Sequence, residues 1–209
     1  FRDPNGIRPC FFYADDEIIA AASERPALQT TLNISAKFVQ ELEPGHALII
    51  KKAGGHEVVP FIEKREKKSC SFERIYFSRG SDKDIYVERK KLGKNLVERI
   101  LQAVDYKFED TVFTYVPKTA EAAFYGLMEG VQDAYSKVKA EQIVAAGGKM
   151  SAEEISTLLA KQPRIEKLAN KDEKLRTFIA NIDTRHEMVS HVYDVTYGII
   201  RNDLDTLVL

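Results

Sequence analysis

Cysteine is scarce. Cys10 and Cys70 are the only two in 209 residues, sixty positions apart and with no Cys-x-x-Cys spacing. That argues against a disulfide scaffold and a cysteine-built zinc site, and it makes a reducing cytoplasm the expected compartment. Net charge is nearly absent too: 31 Lys and Arg against 32 Asp and Glu leave no overall field to hold nucleic acid or an anionic membrane. No apolar run approaches the roughly 18 residues of a membrane-spanning helix. The front of the chain has no basic-then-apolar leader, an absence of little weight because the chain reads as opening inside a hairpin. What is present is ample apolar material, 44% of residues, enough for one large domain or two small ones.

The turn chemistry at the front organises the first half. Asp3-Pro4-Asn5-Gly6 presets φ at the proline and permits φ > 0 at the glycine. Phe1 and Arg2 are therefore expected to end one strand, and Ile7 to Tyr13 to return as its partner, so the chain reads as an excised piece. A buried strand is predicted over 17–22. A helix follows to about Thr31, with Ser23 as N-cap and Pro26 in its first turn. Further strands are expected at 37–42 and at 46–52, the latter paired with 57–62 across Gly54-Gly55. Residues 63–69, Glu-Lys-Arg-Glu-Lys-Lys-Ser, have nothing apolar to bury and read as a solvated connector and domain boundary.

Beyond it the pattern turns to α/β. A short strand is expected at 72–77. An amphipathic helix follows at 87–104, with Leu92, Leu96, Ile100 and Leu101 at core spacing. A strand at 110–116, a turn at Pro117-Lys118-Thr119 and a helix from Ala120 form one β-turn-α unit. Residues 133–175 read as polar and helical: Ser151 and Glu154 suit a capping box, and Pro163 ends that helix before another near Arg164. The final residues, 206–209, read as a strand. His186 and His191 are five apart around Glu187, whereas a helical His-Glu-x-x-His zinc site needs four.

Five blocks in order resemble the glutamine-dependent amidophosphoribosyltransferases. They are Arg2 to Pro9 (Arg-Asp-Pro-Asn-Gly-Ile-Arg-Pro), Ala22-Ser23-Glu24 with Ala27-Leu28, Glu43-Pro44-Gly45, Cys70 to Arg79 with Arg89 and Leu92-Gly93, and Arg176-Thr177-Phe178-Ile179. The resemblance implies the C-terminal part of an Ntn-type αββα glutaminase, a class II glutamine amidotransferase domain, over 1–69. The start of a phosphoribosyltransferase-like α/β domain would follow over 70–209, with a polar helical insertion at about 133–175. It implies a parent glycosyltransferase that converts glutamine and phosphoribosyl pyrophosphate (PRPP, bound with Mg2+) to phosphoribosylamine, the first step of de novo purine synthesis, and that assembles as a homo-oligomer. Arg176, Thr177 and Ile179 become PRPP-loop candidates; Arg79 and Arg89 become interdomain candidates. Cys70 stands where some family members have a 4Fe–4S ligand and others a cysteine without a cluster.

The same resemblance sets limits. The family's nucleophile is an N-terminal cysteine, which Cys10 is not; Cys10 reads as a small apolar packing residue. The acidic pair and phosphate loop that grip PRPP would follow the strand at 206–209, so no catalytic residue is expected among these 209 and the fragment is expected to be inactive. After Ile179 the family has Pro, Gln and Arg at alternating positions, where this chain has Asn181, Asp183 and His186. Two other readings stay open: a catalytically retired paralogue with a binding or regulatory role, and another class II amidotransferase such as a hexosamine-forming enzyme.

Overall fold

A computed structural model of the chain describes residues 1–171, 192–196, 198 and 199, and the backbone of 206–208. The chain is of mixed helix and sheet and packs as two compact units, Phe1–Val87 and Glu88–Leu209. The division falls within a long helix, whereas the sequence suggests a boundary at 69/70. Among the described residues no helix is long and apolar enough to cross a membrane.

The first unit is antiparallel. Strand β1 (Phe11–Ala14) lies between β2 (Ile19–Ala22) and β3 (Gln40–Glu41), with Phe11 opposite both Ala22 and Glu41. Strands β4 (His46–Ile50) and β5 (His56–Pro60) form the expected hairpin, turning through Gly54 and Gly55 at φ +95° and +81°. The front turn forms, with Gly6 N–H donating to the Asp3 carbonyl (3.1 Å), but the hairpin expected around it does not. Arg2 pairs instead with Gly45 and His46, and β1 begins only at Phe11. Helix α1 (Arg25–Leu32) starts one residue later than expected, at Glu24 and without a side-chain cap. Pro26 in the first turn has no N–H to cap and fixes the helical φ itself, so Ser23 is not needed there. Before β3, residues 36–38 form a short 3-10 turn rather than strand.

Residues 71–77 also depart from expectation: they form a helical turn, closed by Ser78 N–H donating to the Glu73 carbonyl at 2.8 Å. A strand there would place Glu73 on one face with Ile75 and Phe77; the turn instead pairs the buried Glu73 with Arg8.

Helix α2 (Lys83–Ala103) starts in the first unit and ends in the second. Asp82 caps it, its carboxylate accepting from the backbone N–H of Asp84 (2.9 Å) and Ile85 (3.3 Å). In the second unit α2 packs on α3 (Glu121–Ala145) at backbone contact. A Cβ on Gly93 would lie 1.7 Å from the Ala123 carbonyl oxygen, and one on Gly126 would lie 1.8 Å from that of Lys90. This contact explains why the expected core face is displaced: Gly93 and Arg89 are buried, while Leu92 and Leu96 are about half exposed. Helix α3 runs unbroken through Asp133, carrying Val131, Tyr135 and Lys139 into the interior. The core gathers Leu101, Phe108, Phe113, Phe124, Leu127, Met128, Val131 and Tyr135.

Helix α4 (Ala152–Ala160) carries the full capping box between Ser151 and Glu154. The helix expected near Arg164 is strand β7 (Arg164–Ile165), parallel to β6 (Thr111–Phe113). Pro163 disfavours helix for its predecessor, and the free edge of β6 accepts the extended chain, with Glu166 N–H donating to the Phe113 carbonyl at 3.1 Å. Strands β8 (Ala169–Lys171) and β9 (Tyr193–Val195) pair antiparallel; β10 (Thr206–Val208) lies parallel to β6 on the side away from β7.

The α2–α3 contact generates a prediction of sign. Gly→Ala inside a helix ordinarily stabilises by about 1 kcal/mol, but at Gly126 the added methyl meets backbone that cannot swing aside. Gly126→Ala should therefore destabilise the second unit by about 3 kcal/mol, read as a lower urea midpoint. An unchanged or raised midpoint would show that the helices part freely.

Candidate functional site

Two places carry the residues singled out by sequence. In the first unit the motif Arg2 to Pro9 folds around its own arginine. The Arg2 side chain is buried, 4% exposed. Its Nε donates to the Arg8 carbonyl (3.0 Å), Nη1 to the Leu42 carbonyl (2.6 Å) and to Glu41 Oε1 (2.7 Å), and Nη2 to the Gly6 carbonyl (3.5 Å). The Asp3 carboxylate accepts from the N–H of Asn5 (3.0 Å) and Ile7 (2.9 Å), closing the turn from inside. Partial burial alone would raise the pKa of Glu41; hydrogen bonds from Arg2 and Lys67, and their charges, outweigh it and hold the carboxyl below its ordinary value. Burial likewise opposes, and the backbone donors of Ile7, Arg8 and Asn5 outweigh, so Asp3 is lowered as well.

In the second unit the parallel strands run in the order β7-β6-β10. The chain passes from β6 to the neighbour on one side, then crosses to the other, so the switch in strand order lies between β6 and β10. In open α/β sheets ligands bind outside the carboxyl ends of the strands at such a switch. Here that end of β6 is the stretch Thr114 to Ala120, leading into the first turn of α3. Tyr115 and Tyr125 both donate to Glu121 Oε1 (3.3 and 2.9 Å), bracing this turn onto the helix. Burial, followed by the Glu121 charge, raises the Tyr115 pKa.

The sequence-derived candidates fall as follows. Arg176, Thr177 and Ile179 lie outside the described residues, as do His186 and His191. Arg79 is exposed and pairs with Glu24 at 3.2 Å; Arg89 is buried within the second unit's stretch of α2. Cys10 and Cys70 are both free and half-buried, with Cys70 N–H donating to the Ile7 carbonyl at 2.9 Å. A 4Fe–4S cluster needs four ligands. The chain has two cysteines, and no group of three or more potential ligands gathers among the described residues, so these residues do not fit a cluster.

Sequence reasoning missed Lys139. It is 4% exposed, and its ammonium donates to the carbonyls of Leu159 (3.2 Å) and Lys161 (2.9 Å) at the end of α4 while lying over the Tyr135 ring. The cation satisfies carbonyls that a helix C-terminus leaves open and sits at the negative end of its dipole. Its spacing of four from Tyr135, and of eight from the buried Val131, was the available signal.

The Arg2 knot sets an acid response. Because Glu41 is held below its ordinary value, its contribution is fully present above the unfolded carboxylate range, about 4.3, and is lost as pH falls through the lowered value. Unfolding of the first unit should grow easier with acid below that range, and Glu41→Gln should flatten the slope. Arg2→Ala, which leaves Glu41 and two buried carbonyls unpaired, should cost about 3 kcal/mol. Denaturant midpoints at several pH values check both, and an unaltered acid slope in Glu41→Gln would sink the assignment.

No family model matches the chain. It is 32% identical over 131 residues to the amidophosphoribosyltransferase of Bacillus subtilis, covering 61% of this chain and 25% of that protein. It is 35% identical over 106 residues to that of Synechocystis, covering 46% and 20%, and 30% identical over 129 residues to that of Saccharomyces cerevisiae, covering 57% and 25%. The chain thus spans about a quarter of the length of the curated relatives it matches. In fold it is similar to a solved glutamine PRPP amidotransferase from B. subtilis complexed with ADP and GMP, with a TM-score of 0.57 and 25% identity, covering 95% of this chain and 36% of that one. By sequence and by fold, this chain is related to the amidophosphoribosyltransferase family.

Proposed function

We propose that the chain is part of an enzyme that transfers the amide nitrogen of glutamine to PRPP, giving phosphoribosylamine, in the cytoplasm and as a homo-oligomer. The observation that carries the reading is the conjunction of two features. The motif Arg2 to Pro9 closes on itself in an antiparallel unit, and the following unit carries a parallel β7-β6-β10 sheet, in a chain whose relatives are amidophosphoribosyltransferases. In this reading the first unit supports an Ntn-type glutaminase, where a cysteine nucleophile and preorganised donors stabilise the oxyanion of amide hydrolysis. The second is the front of a phosphoribosyltransferase domain, with PRPP and its Mg2+ at the carboxyl ends of β6 and β10. Arg176, Thr177 and Ile179 would close over that ligand, and Arg79 and Arg89 would serve where the two domains meet.

The 209 residues by themselves supply scaffold rather than chemistry. Cys10 hands its carbonyl to Leu42 N–H beside β1 and is half-buried, a packing role rather than a nucleophile's. The departures at Asn181, Asp183 and His186 favour a second reading, a retired paralogue that keeps the fold for binding or regulation.

The test is an assay of the whole reading frame containing these residues beside the 209-residue chain, following glutamate and pyrophosphate release from glutamine and PRPP. Turnover that depends on both substrates in the former, with none in the latter, is the expected outcome. Binding of PRPP without turnover in the whole product would favour the retired paralogue, and activity in the 209-residue chain alone would overturn the division of labour.

A further inference from the structure

Residues 64–78 lie along the front motif as an extended strap that ends in the helical turn 71–77. Backbone N–H groups of Arg65, Lys68 and Cys70 donate to the carbonyls of Pro4 (2.9 Å), Asn5 (2.8 Å) and Ile7 (2.9 Å), and Asn5 Nδ2 donates back to the Glu66 carbonyl (2.9 Å). Lys64 and Lys67 reach Glu43 (2.6 Å) and Glu41 (3.0 Å) across the surface. At its far end Arg8 Nη2 meets Glu73 Oε1 at 2.9 Å.

The polarity of that end is inverted. Glu73 is buried, 6% exposed, while Phe72 and Ile75 on the same turn are 62% and 45% exposed. Docking the turn therefore gains little from its two outermost apolar side chains. It depends heavily on a carboxylate whose ion-pair partner among the described residues is Arg8, itself 71% exposed. Exposed pairs such as those of Lys64 and Lys67 contribute little, whereas a buried carboxylate stripped of its cation is strongly destabilising. The closed strap thus hinges on one contact reached from solvent.

We propose that residues 64–78 form a releasable clasp, latched by Arg8 and Glu73, which opens as a unit while the strands beneath it stay folded. Opening bares the carbonyl edge of Pro4 to Ile7 and the basic run Lys64 to Lys68. The device is independent of which reaction the parent catalyses.

Hydrogen exchange of the 209-residue chain tests it. In Arg8→Ala the amides of Arg65, Lys68, Cys70 and Ser78 should exchange about a hundred-fold faster, with those of β1 and β4 unchanged. Trypsin should then cut between Lys64 and Lys68 before any other site. Glu73→Gln, which removes the buried charge along with the pair, should accelerate the same amides less. Acceleration shared equally by β1 and β4, or none at all, would overturn the clasp. Should Arg8→Ala fail to fold, Arg8→Lys gives the same comparison: a smaller acceleration confined to the strap upholds it, and a uniform or absent one overturns it.

Discussion

The guanidinium of Arg2 is the fixed point of the first unit. A buried cation with five donors is tolerable only if acceptors surround it, and here they come from separate stretches of chain: Gly6 and Arg8 behind it, Glu41 and Leu42 ahead. Meeting that demand forces the front turn back over the arginine and brings the end of β3 against it. Gly45, at φ +76°, completes the arrangement. Its N–H donates to the Arg2 carbonyl, its own carbonyl accepts from Phe61 and Ile62, and a Cβ there would lie 2.4 Å from the Ile62 carbonyl oxygen. Two sequence blocks forty residues apart, Arg2 to Pro9 and Glu43-Pro44-Gly45, are thus one structural object.

The second unit obeys a different constraint. There the closest approach is backbone to backbone, and glycine rather than charge permits it. With Gly93 and Gly126 in contact, α3 lies close enough for Phe124, Leu127 and Met128 to share a core with Leu101 and Phe113. That seat holds α3 at the carboxyl end of β6, where the turn 114–120 is braced through Glu121. At its other end α3 sends Lys139 under the terminus of α4, and the chain leaving that terminus is the one that becomes β7. The order β7-β6-β10 therefore rests on a helix contact made on the far side of its core.

What the sequence disclosed and what it hid follow from the range of the forces. Turns at Asp3 to Gly6 and at Gly54-Gly55, the capping box of Ser151 and Glu154, and the strand at β6 are set by neighbours within a few residues, and they were legible. The strand expected at 72–77 and the helix expected near Arg164 failed because distant partners decided them: Arg8 for Glu73, the edge of β6 for β7. Leu92 and Leu96 have the spacing of a core face, but periodicity counts side chains and is blind to glycines that bring backbones together. The site was legible only through family resemblance, since its candidate loop residues carry no local signature that would single them out.

Charge in the first unit separates into two kinds with different consequences. Lys64 and Lys67 reach carboxylates in water, so salt screens them and their loss is tolerated. Arg2 and Glu73 are the reverse: each is buried, and each makes an ion pair with a residue that solvent reaches, Glu41 for one and Arg8 for the other. For Arg2 the carbonyls of Gly6, Arg8 and Leu42 provide further acceptors, so the knot survives weakening of one contact. Glu73 has no such reserve among the described residues. The same motif therefore supplies the unit's most redundant buried charge at its first arginine and its least redundant at its second, which is why one fixes the fold and the other can act as a latch.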